Sequence, residues 1–409
     1  MSDGGTPDRP ESRPATLVAG STLVAVGLAV GQVLGYLLNV LGARILGPRG
    51  YGELGALLGL VLIGNVVALA VQTVSSRRTS IGEDGVERLA PLGIRFGVGE
   101  TAVFLLLVPV LAVTLHLDVV SLAAVSLGFL PLTAAGVALG VTQGGSRFSL
   151  LSLQYAVLAG ARTGLALAAL LVWHDVRAVT LGLLVGGVVA WLSLARLAAL
   201  PAWLWVRTPR PIADETLHVT HALVAMFTFT SVDVLLARSL MEANAAGQYA
   251  AGGILIKIAF WLPQAVVVAA FPRMSVREEG ALRRSAAIVV TLGALLVAGA
   301  LLLGPLVMPW VLGASYVTAA DSAWLFVLVG VVESVAYLIV FDRLAARDRN
   351  AVGIVWGAVV LMVTLALTLG RTPVSLAWSV AISGVALCAA GVLAPRRPAA
   401  TEAEEAAGR

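Results

Sequence analysis

The sequence carries little charge for its length. Of its 409 residues, 12% are charged and 59% are hydrophobic, and the mean hydropathy is +0.95. Soluble domains carry about a quarter charged residues. The shortage excludes a soluble globular protein, because too few polar residues are available to cover a water-exposed surface. The composition instead predicts a protein that lies largely within the lipid bilayer.

Cysteine and lysine each occur once, as Cys388 and Lys257. One cysteine cannot form an intrachain disulfide and gives no metal or redox signal. The four histidines do not share a metal-ligand spacing, so we expect no cofactor and no metal site. The basic residues are nearly all arginines in short connecting segments, so the net charge of +4 does not predict a nucleic-acid partner. An arginine-rich chain with one lysine is typical of a bacterial protein from a genome rich in G and C.

The chain also lacks long polar segments and short alternating runs. No connecting segment is long enough to fold as a separate domain, and the repeating pattern of membrane strands, about ten residues each, is absent. These absences place any function within the membrane or at its two faces.

What the sequence does contain is a series of long apolar runs. A helix needs about 20 apolar residues to cross about 30 Å of hydrocarbon. Such runs must be helical because lipid offers the backbone no hydrogen-bond partner. We therefore predict an all-α membrane protein with about twelve spans, at residues 17–43, 52–74, 96–115, 119–141, 150–172, 178–200, 218–240, 248–272, 286–312, 319–341, 351–370 and 373–394.

Arginines mark one side of the predicted membrane. The even-numbered loops and both tails are rich in arginine, whereas Arg49, Arg177 and Arg371 are the clearest basic residues on the opposite side. Because cytoplasmic loops carry the excess of Lys and Arg, both termini are expected in the cytoplasm. We predict a multi-pass protein of the bacterial cytoplasmic membrane, divided into a tail at 1–16, a six-helix lobe at 17–200, a cytoplasmic linker at 201–217, a second six-helix lobe at 218–394 and a tail at 395–409.

An internal repeat relates the two predicted lobes. The segment from Asn39 to Arg44, NVLGAR, matches the segment from Asp233 to Arg238, DVLLAR. After a short insertion Tyr51 matches Tyr249. Because a six-helix unit has an even number of spans, the two copies enter the membrane with the same orientation. The halves are therefore expected to be parallel repeats about an axis along the membrane normal.

Three stretches of the sequence resemble one known family, and they occur in the family's order. They are ARILGPRGYGELGALLGLV at 43–61, VTQGGSRFSLLSLQYAVLAGARTGLAL at 141–167 and DVLLARSLMEANAAGQYAAGGILIKIAFWLPQAVVVAAFPRMS at 233–275. They are similar to segments of bacterial polysaccharide flippases, members of the multidrug/oligosaccharidyl-lipid/polysaccharide exporter (MOP) superfamily. The likeness covers nearly the whole chain.

The resemblance implies a two-lobed, MATE-like transporter that works by alternating access and is not an enzyme. Its implied cargo is a polyprenyl-diphosphate-linked oligosaccharide used in surface polysaccharide biosynthesis. The implied partners are this lipid-linked sugar, the bilayer and, as a possibility, polysaccharide-assembly proteins. Twelve spans fit the sugar exporters and the drug antiporters better than the peptidoglycan-precursor flippases, which carry two additional helices.

Four ionisable residues within the predicted spans are candidates for a functional site. Arg162, Lys257 and Glu333 are near mid-span, and Asp233 is deeper than a loop residue. Because intramembrane charge is costly, such residues usually face a cavity or a partner. We interpret Arg162 and Lys257 as cations that meet the diphosphate; alternatively, each pairs with Glu333 or Asp233 to lock two helices. The two acids are interpreted as orienting the cations, with proton or sodium coupling as the alternative.

Further polar residues mark helix ends and helix contacts. Arg44 and Arg238 are placed at the outer ends of the first and seventh spans, where a cation complements a helix C-terminus; their matched positions also permit a role in an outer gate. Other polar side chains within the spans are interpreted as interhelical hydrogen bonds, with sugar contacts as the alternative. They are Gln32, Asn65, Gln72, Gln154 and Gln264.

Three other functions stay open. A drug or small-molecule ion-coupled antiporter of the same superfamily needs an acidic ion site and no diphosphate cations, so Arg162 and Lys257 argue against it. A membrane glycosyltransferase, polymerase or ligase needs catalytic residues on sizeable outer loops, which the sequence does not provide. A membrane scaffold with a transporter fold and no transport is also compatible with the sequence.

Overall fold

The computed structural model describes residues 14–82, 86–197, 210–261, 281–346, 348 and 350–395. Every regular element within these ranges is a helix. They are α1 Pro14–Ile81, α2 Val86–Leu115, α3 Val119–Gly144, α4 Phe148–Trp173, α5 Val176–Leu197, α6 Arg210–Phe229, α7 Val232–Leu240, α8 Ala243–Trp261, α9 Ala281–Leu312, α10 Val317–Asp321, α11 Ala323–Ala345, α12 Ala351–Leu369 and α13 Pro373–Leu393. The predicted all-helical fold is confirmed.

Each predicted span corresponds to helix in the part of it that the structure describes, although two spans are joined and two are broken. Helix α1 has 68 residues, too long for one crossing, and it bends at Gly47 (φ 65°, ψ 179°). A positive φ is readily adopted only by glycine, so Gly47 and the following Pro48 separate the first two spans. Helices α6 and α7 form the seventh span with a bend of 50°. Helices α10 and α11 together form the tenth.

Nine helices among the described residues are long and apolar enough to cross a membrane, or ten if the bent α6–α7 pair is one span. The difference from twelve has two causes. Helix α1 is counted once although its two limbs match two predicted spans, and the described part of the eighth span ends at Trp261. The lobe and linker boundaries stay predictions. Residues 1–13, 83–85, 198–209, 262–280, 347, 349 and 396–409, which include Gln264 and most of both tails, lie outside the described residues.

Two groups of helices form the lobes. In the first, α1 packs against α3 and α4, α2 packs against α3, and α4 packs against α5. In the second, α11 packs against α8, α9 and α13, and α12 packs against α13 and α6. Helix α1 also packs against α8 and α6, so its two limbs supply most of the contact between the lobes.

The same hydrogen bond occurs in both lobes and supports the predicted repeat. The hydroxyl of Tyr51 donates to Asn39 Oδ1 over 2.8 Å, and the hydroxyl of Tyr249 donates to Asp233 Oδ2 over 2.8 Å. These are the residues that the sequence repeat aligns. The shared hydrogen bond supports the alignment of the two halves. It also shows one difference between them, because the acceptor is the amide of Asn39 in one half and the carboxylate of Asp233 in the other.

Candidate functional site

A cavity of about 340 Å³ lies between the lobes, and three of the four predicted intramembrane charges line it. Arg162 reaches it from α4, Lys257 from α8 and Glu333 from α11. Asp233 lines a much smaller adjoining space, of about 10 Å³, which Lys257 also lines. The fold therefore brings together four residues that are separated by up to 171 positions in the chain.

Arg162 has no ionic partner among the described residues. It forms no hydrogen bond there with either predicted acid, so the alternative in which it locks two helices by pairing with Glu333 or Asp233 is absent from this structure. The backbones of α4 and α5 approach closely at this residue, because the Cα of Arg162 lies 2.6 Å from where a Cβ on Gly186 would stand. The Arg162 side chain lines the cavity.

Lys257 lies beside two buried acids. Its charge interacts electrostatically with both Asp233 and Glu333, but it forms no direct ion pair with either in the part of the chain that the structure describes. The two acids are only 3% and 2% exposed. Asp233 Oδ1 and Glu333 Oε1 have no hydrogen-bond partner within the described ranges. The group is thus a lysine with two neighbouring carboxyls, each with an unused acceptor.

The repeat is broken at Lys257. Its counterpart in the first lobe is Gly59, and both residues line the small space that holds Asp233. A Cβ on Gly59 would lie 3.5 Å from the carbonyl oxygen of Ser231, an ordinary contact distance. The missing side chain of one half therefore leaves room beside the lysine of the other half, and this small space has one lysine where strict symmetry would give two.

Arg44 and Arg238 each reach across to the opposite lobe. Nη2 of Arg44 donates to the carbonyl oxygen of Trp310 over 2.8 Å, near the end of α9. Nε of Arg238 donates to the carbonyl oxygen of Leu115 over 3.1 Å, and its Nη2 donates to the carbonyl oxygen of His116 over 2.8 Å. Both acceptors lie at the end of α2. Each arginine thus complements the C-terminus of a helix in the other lobe and not that of its own helix. We call these two contacts the arginine latch.

The backbones of the two lobes also touch at the same end of the molecule. A Cβ on Gly247 of α8 would lie 1.7 Å from the carbonyl oxygen of Pro48 in α1, and one on Gly52 would lie 2.8 Å from the backbone nitrogen of Gly247. The hydroxyl of Tyr316 donates to the carbonyl oxygen of Ala43 over 2.8 Å. With the arginine latch, these contacts close the cavity at the end that the charge pattern predicts to be outer.

At the opposite end one helix connects the lobes. Arg77 and Arg78 of α1 both form ion pairs with Glu215 of α6. Ile212 of α6 is buried in an apolar cluster formed by α1, α2 and α3. The first half of α6 therefore rests on the first lobe, while the chain beyond the bend at Thr230 and Ser231 belongs to the second lobe.

One buried acid was not among the predicted site residues. Glu100 of α2 is 8% exposed, and the hydroxyl of Thr133 donates to its Oε2 over 2.7 Å. Its Oε1 has no partner within the described part of the chain. The signal was present in the sequence, because Glu100 falls inside a predicted span.

The glutamines take different roles. Nε2 of Gln72 donates to Gln143 Oε1 and to the hydroxyl of Tyr155, at 2.9 and 2.7 Å, which is the predicted interhelical bonding. Gln32 instead lines the central cavity. Gln154 is fully buried, and neither end of its amide has a partner among the described residues.

Comparison with known proteins gives a fold but no family assignment. No protein-family model and no curated protein matches the sequence. Among solved structures, the lipid II flippase MurJ in an inward closed conformation matches with a TM-score of 0.75 at 12% identity, covering 91% of this chain and 87% of that one. A multidrug resistance MATE family transporter of the MOP superfamily matches with TM-scores of 0.67 inward-facing, at 15% identity, and 0.59 outward-facing, at 14%. These two cover 90% and 92% of this chain, and 97% and 94% of their own chains. At such identities the likeness is one of fold, and the chain has the fold of a MATE-like transporter.

Proposed function

We propose that this protein is a flippase that moves a polyprenyl-diphosphate-linked oligosaccharide across the bacterial cytoplasmic membrane by alternating access, for surface polysaccharide biosynthesis. The observation that carries the proposal is the central cavity, in which Arg162 and Lys257 have no direct ionic partner among the described residues. A cation in the membrane without a partner is costly. An anionic cargo supplies the missing partner each time the transporter loads.

The two cations suit a diphosphate in different ways. A guanidinium presents a planar fork that binds phosphate oxygens bidentately, whereas an ammonium acts as a mobile point charge. Lys257 interacts electrostatically with the neighbouring Asp233 and Glu333. Arg162 has no such acid beside it, so we assign it the stronger contact with the diphosphate.

The rest of the cavity suits a sugar. Gln32 and Thr163 offer hydrogen-bonding groups, and Tyr36, Phe260 and Tyr337 offer aromatic faces. The rings of Phe260 and Tyr337 meet edge to face, with their centroids 5.4 Å apart. Amphipathic aromatic surfaces accommodate the apolar faces of sugar rings while the hydroxyls bond elsewhere. The MurJ comparison supports a lipid-linked sugar, since that protein is described as a lipid II flippase.

Alternating access is supported by the two unequal ends of the cavity. The arginine latch and the Gly247–Pro48 contact close the predicted outer end, so we assign Arg44 and Arg238 to an outer gate. The greater similarity to the inward-facing than to the outward-facing MATE structure agrees with this state. Opening the outer end requires both arginines to leave the helix ends that they now complement.

A second candidate is an ion-coupled antiporter of drugs or other small molecules. The observation in its favour is the pair of buried acids, each with an unused oxygen, that a proton or sodium ion could occupy. The two candidates predict different cargo, since an antiporter of cationic drugs gains nothing from Arg162.

Transport in liposomes tests the proposal. The purified protein is reconstituted with a fluorescent polyprenyl-diphosphate oligosaccharide, and the labelled lipid that reaches the opposite leaflet is measured. We expect Arg162→Ala to reduce transport more than Lys257→Ala. The matched control is Arg371→Ala, which removes an exposed arginine outside the cavity. Wild-type transport of ethidium but not of the lipid-linked sugar would overturn the proposal and favour the antiporter.

A further inference from the structure

A second space joins the central cavity at Arg162. It is a groove of about 280 Å³ between the first limb of α1 and helix α4. Gln32, Arg162 and Thr163 line both the groove and the cavity, so the two are continuous. The groove is thus the place where the candidate diphosphate site continues out of the cavity.

Away from the cavity the groove is lined mainly by apolar side chains. They are Leu28 on α1 and Leu158 and Ala159 on α4, together with Tyr155, whose hydroxyl accepts a hydrogen bond from Gln72. Its floor is a close helix contact, because a Cβ on Gly31 would lie 3.3 Å from the Cβ of Ala159. Arg162 is its one charged lining residue in the described chain. The groove therefore has an apolar body with a cation at one end, the charge pattern that complements an anionic amphiphile.

The position of the groove fits loading from one leaflet. On the predicted orientation, α1 enters from the cytoplasm and reaches its outer end at Arg44, and α4 begins at the cytoplasmic face at Phe148. Leu28 and Leu158 then lie in the cytoplasmic half of the membrane. Leu28 is 47% exposed, so the groove is accessible from outside the protein at this residue.

We infer that this groove holds the first isoprene units of the lipid-linked substrate while its diphosphate lies at Arg162. The inference rests on the proposed function and adds the path of the lipid tail between α1 and α4. The diphosphate and the first isoprene unit are covalently joined, so a tail that leaves the cavity beside Arg162 must enter the space that begins there. The exposed side of the groove lets the remaining tail stay in the lipid.

A pair of matched substitutions tests the groove. Leu28→Trp fills it, and Leu37→Trp places the same ring on the same helix at a residue that is 43% exposed and lines neither space. Binding of a long-chain polyprenyl diphosphate and of inorganic diphosphate is measured with the full chain in nanodiscs. We expect Leu28→Trp to weaken binding of the long-chain compound by about tenfold or more and to leave inorganic diphosphate binding unchanged, since only the tail meets the added ring. Leu37→Trp should change neither, and Arg162→Ala should weaken both.

Crosslinking gives a second measurement that does not depend on a filled groove. A benzophenone amino acid replaces Leu28 or Leu37, and a radiolabelled polyprenyl diphosphate is added. We expect crosslinking at position 28 that unlabelled polyprenyl diphosphate competes away and excess phosphatidylglycerol does not. Equal competition by phosphatidylglycerol would assign the groove to ordinary lipid and overturn the inference.

The outcomes separate the groove from the proposed function. If Leu28→Trp binds the long-chain compound as the wild type does, the groove inference is wrong while the diphosphate site stands. If the wild type binds neither diphosphate compound, the proposed function fails and the groove inference fails with it.

Discussion

The arginine latch predicts that the two outer arginines contribute unequally to closure of the cavity. Arg238 is 9% exposed and donates two hydrogen bonds across the lobes, whereas Arg44 is exposed and donates one. In the proposed alternating-access mechanism, these bonds break when the outer end opens. Replacing either arginine by alanine should therefore shift the equilibrium toward the outer-open state, and Arg238→Ala should shift it further.

The size of the shift follows from the contacts. A hydrogen bond from a charged group contributes about 1.5–3 kcal/mol when buried, and less when its partner carbonyls regain water. For the two bonds of Arg238 we take about 2–3 kcal/mol in total, which changes the ratio of open to closed states roughly 30- to 150-fold. The exposed single bond of Arg44 contributes about 1 kcal/mol or less, about fivefold at most.

Cysteine labelling can measure this shift. Cys388 is the one native cysteine, so Cys388→Ser gives a clean background for Ser231→Cys, a nearly isosteric change at a residue that lines the cavity. An impermeant maleimide added from outside reports the outer-open population. Labelling should increase in the order wild type, Arg44→Ala, Arg238→Ala, and Arg371→Ala should match the wild type. Equal labelling in all variants, or a larger effect for Arg44, would refute the latch.

Three further predictions concern stability. Gly247→Ala should lower the melting temperature and raise outer labelling, because its Cβ would stand 1.7 Å from a backbone oxygen; Gly59→Ala, with its nearest contact at 3.5 Å, should change neither. Thr133→Val should lower the free energy of unfolding by about 1–3 kcal/mol, because it removes the donor to buried Glu100; unchanged stability would show that the carboxyl finds another partner. Asp118→Asn should lower the melting temperature at neutral pH, and its difference from the wild type should disappear on acidification; a difference independent of pH would contradict this.

The pH dependence of Asp118 follows from its surroundings outside the spans. Partial burial acts to raise the pKa of its carboxyl, but hydrogen bonds from the backbone and hydroxyl of Ser121 and from the guanidinium of Arg177 outweigh it, and the pKa is lowered. A carboxyl whose pKa is lower in the folded state stabilises that state above its unfolded pKa of about 3.9. The contribution is lost as the pH falls through the lower, folded value. The Asp118 side chain is 20% exposed and its partner Arg177 is 59% exposed, so solvent screens the ion pair and the effect is small.

The helical fold could be predicted from the sequence, because a long apolar run in lipid can satisfy its backbone hydrogen bonds only as a helix. The joining of two spans into α1 could not be predicted. Gly47 and Pro48 predict an interruption of the helix, but they do not predict the direction that the chain takes after it. The repeat could be found because Tyr51 and Tyr249 keep their hydrogen-bonding role in both halves. The predicted number of spans also depended on the distribution of arginines. That distribution assigns each loop to one side of the membrane but does not show where a helix bends.

The sequence predicted which residues are candidates for the site, but it did not predict what these residues contact. Arg162 and Lys257 stood out because charge within an apolar run has few explanations. That neither pairs directly with an acid in the described chain could not be read from spacing. Arg44 was placed at a helix end, but its acceptor on Trp310 lies 266 residues away. Glu100 lies near the start of its predicted span, where a charge is less costly than at mid-span, so its position in the sequence did not distinguish it from a residue at a helix end.

The central claim is that Arg162 and Lys257 carry a diphosphate across the membrane, and its most direct test is transport at a clamped potential. Moving about two negative charges outward across an inside-negative membrane gains roughly 2.3 kcal/mol per charge per 100 mV. We predict that flipping of the polyprenyl-diphosphate oligosaccharide in liposomes accelerates when the cytoplasmic side is made negative, and that Arg162→Ala abolishes flipping at either polarity. Transport that is indifferent both to the potential and to Arg162→Ala would contradict the account.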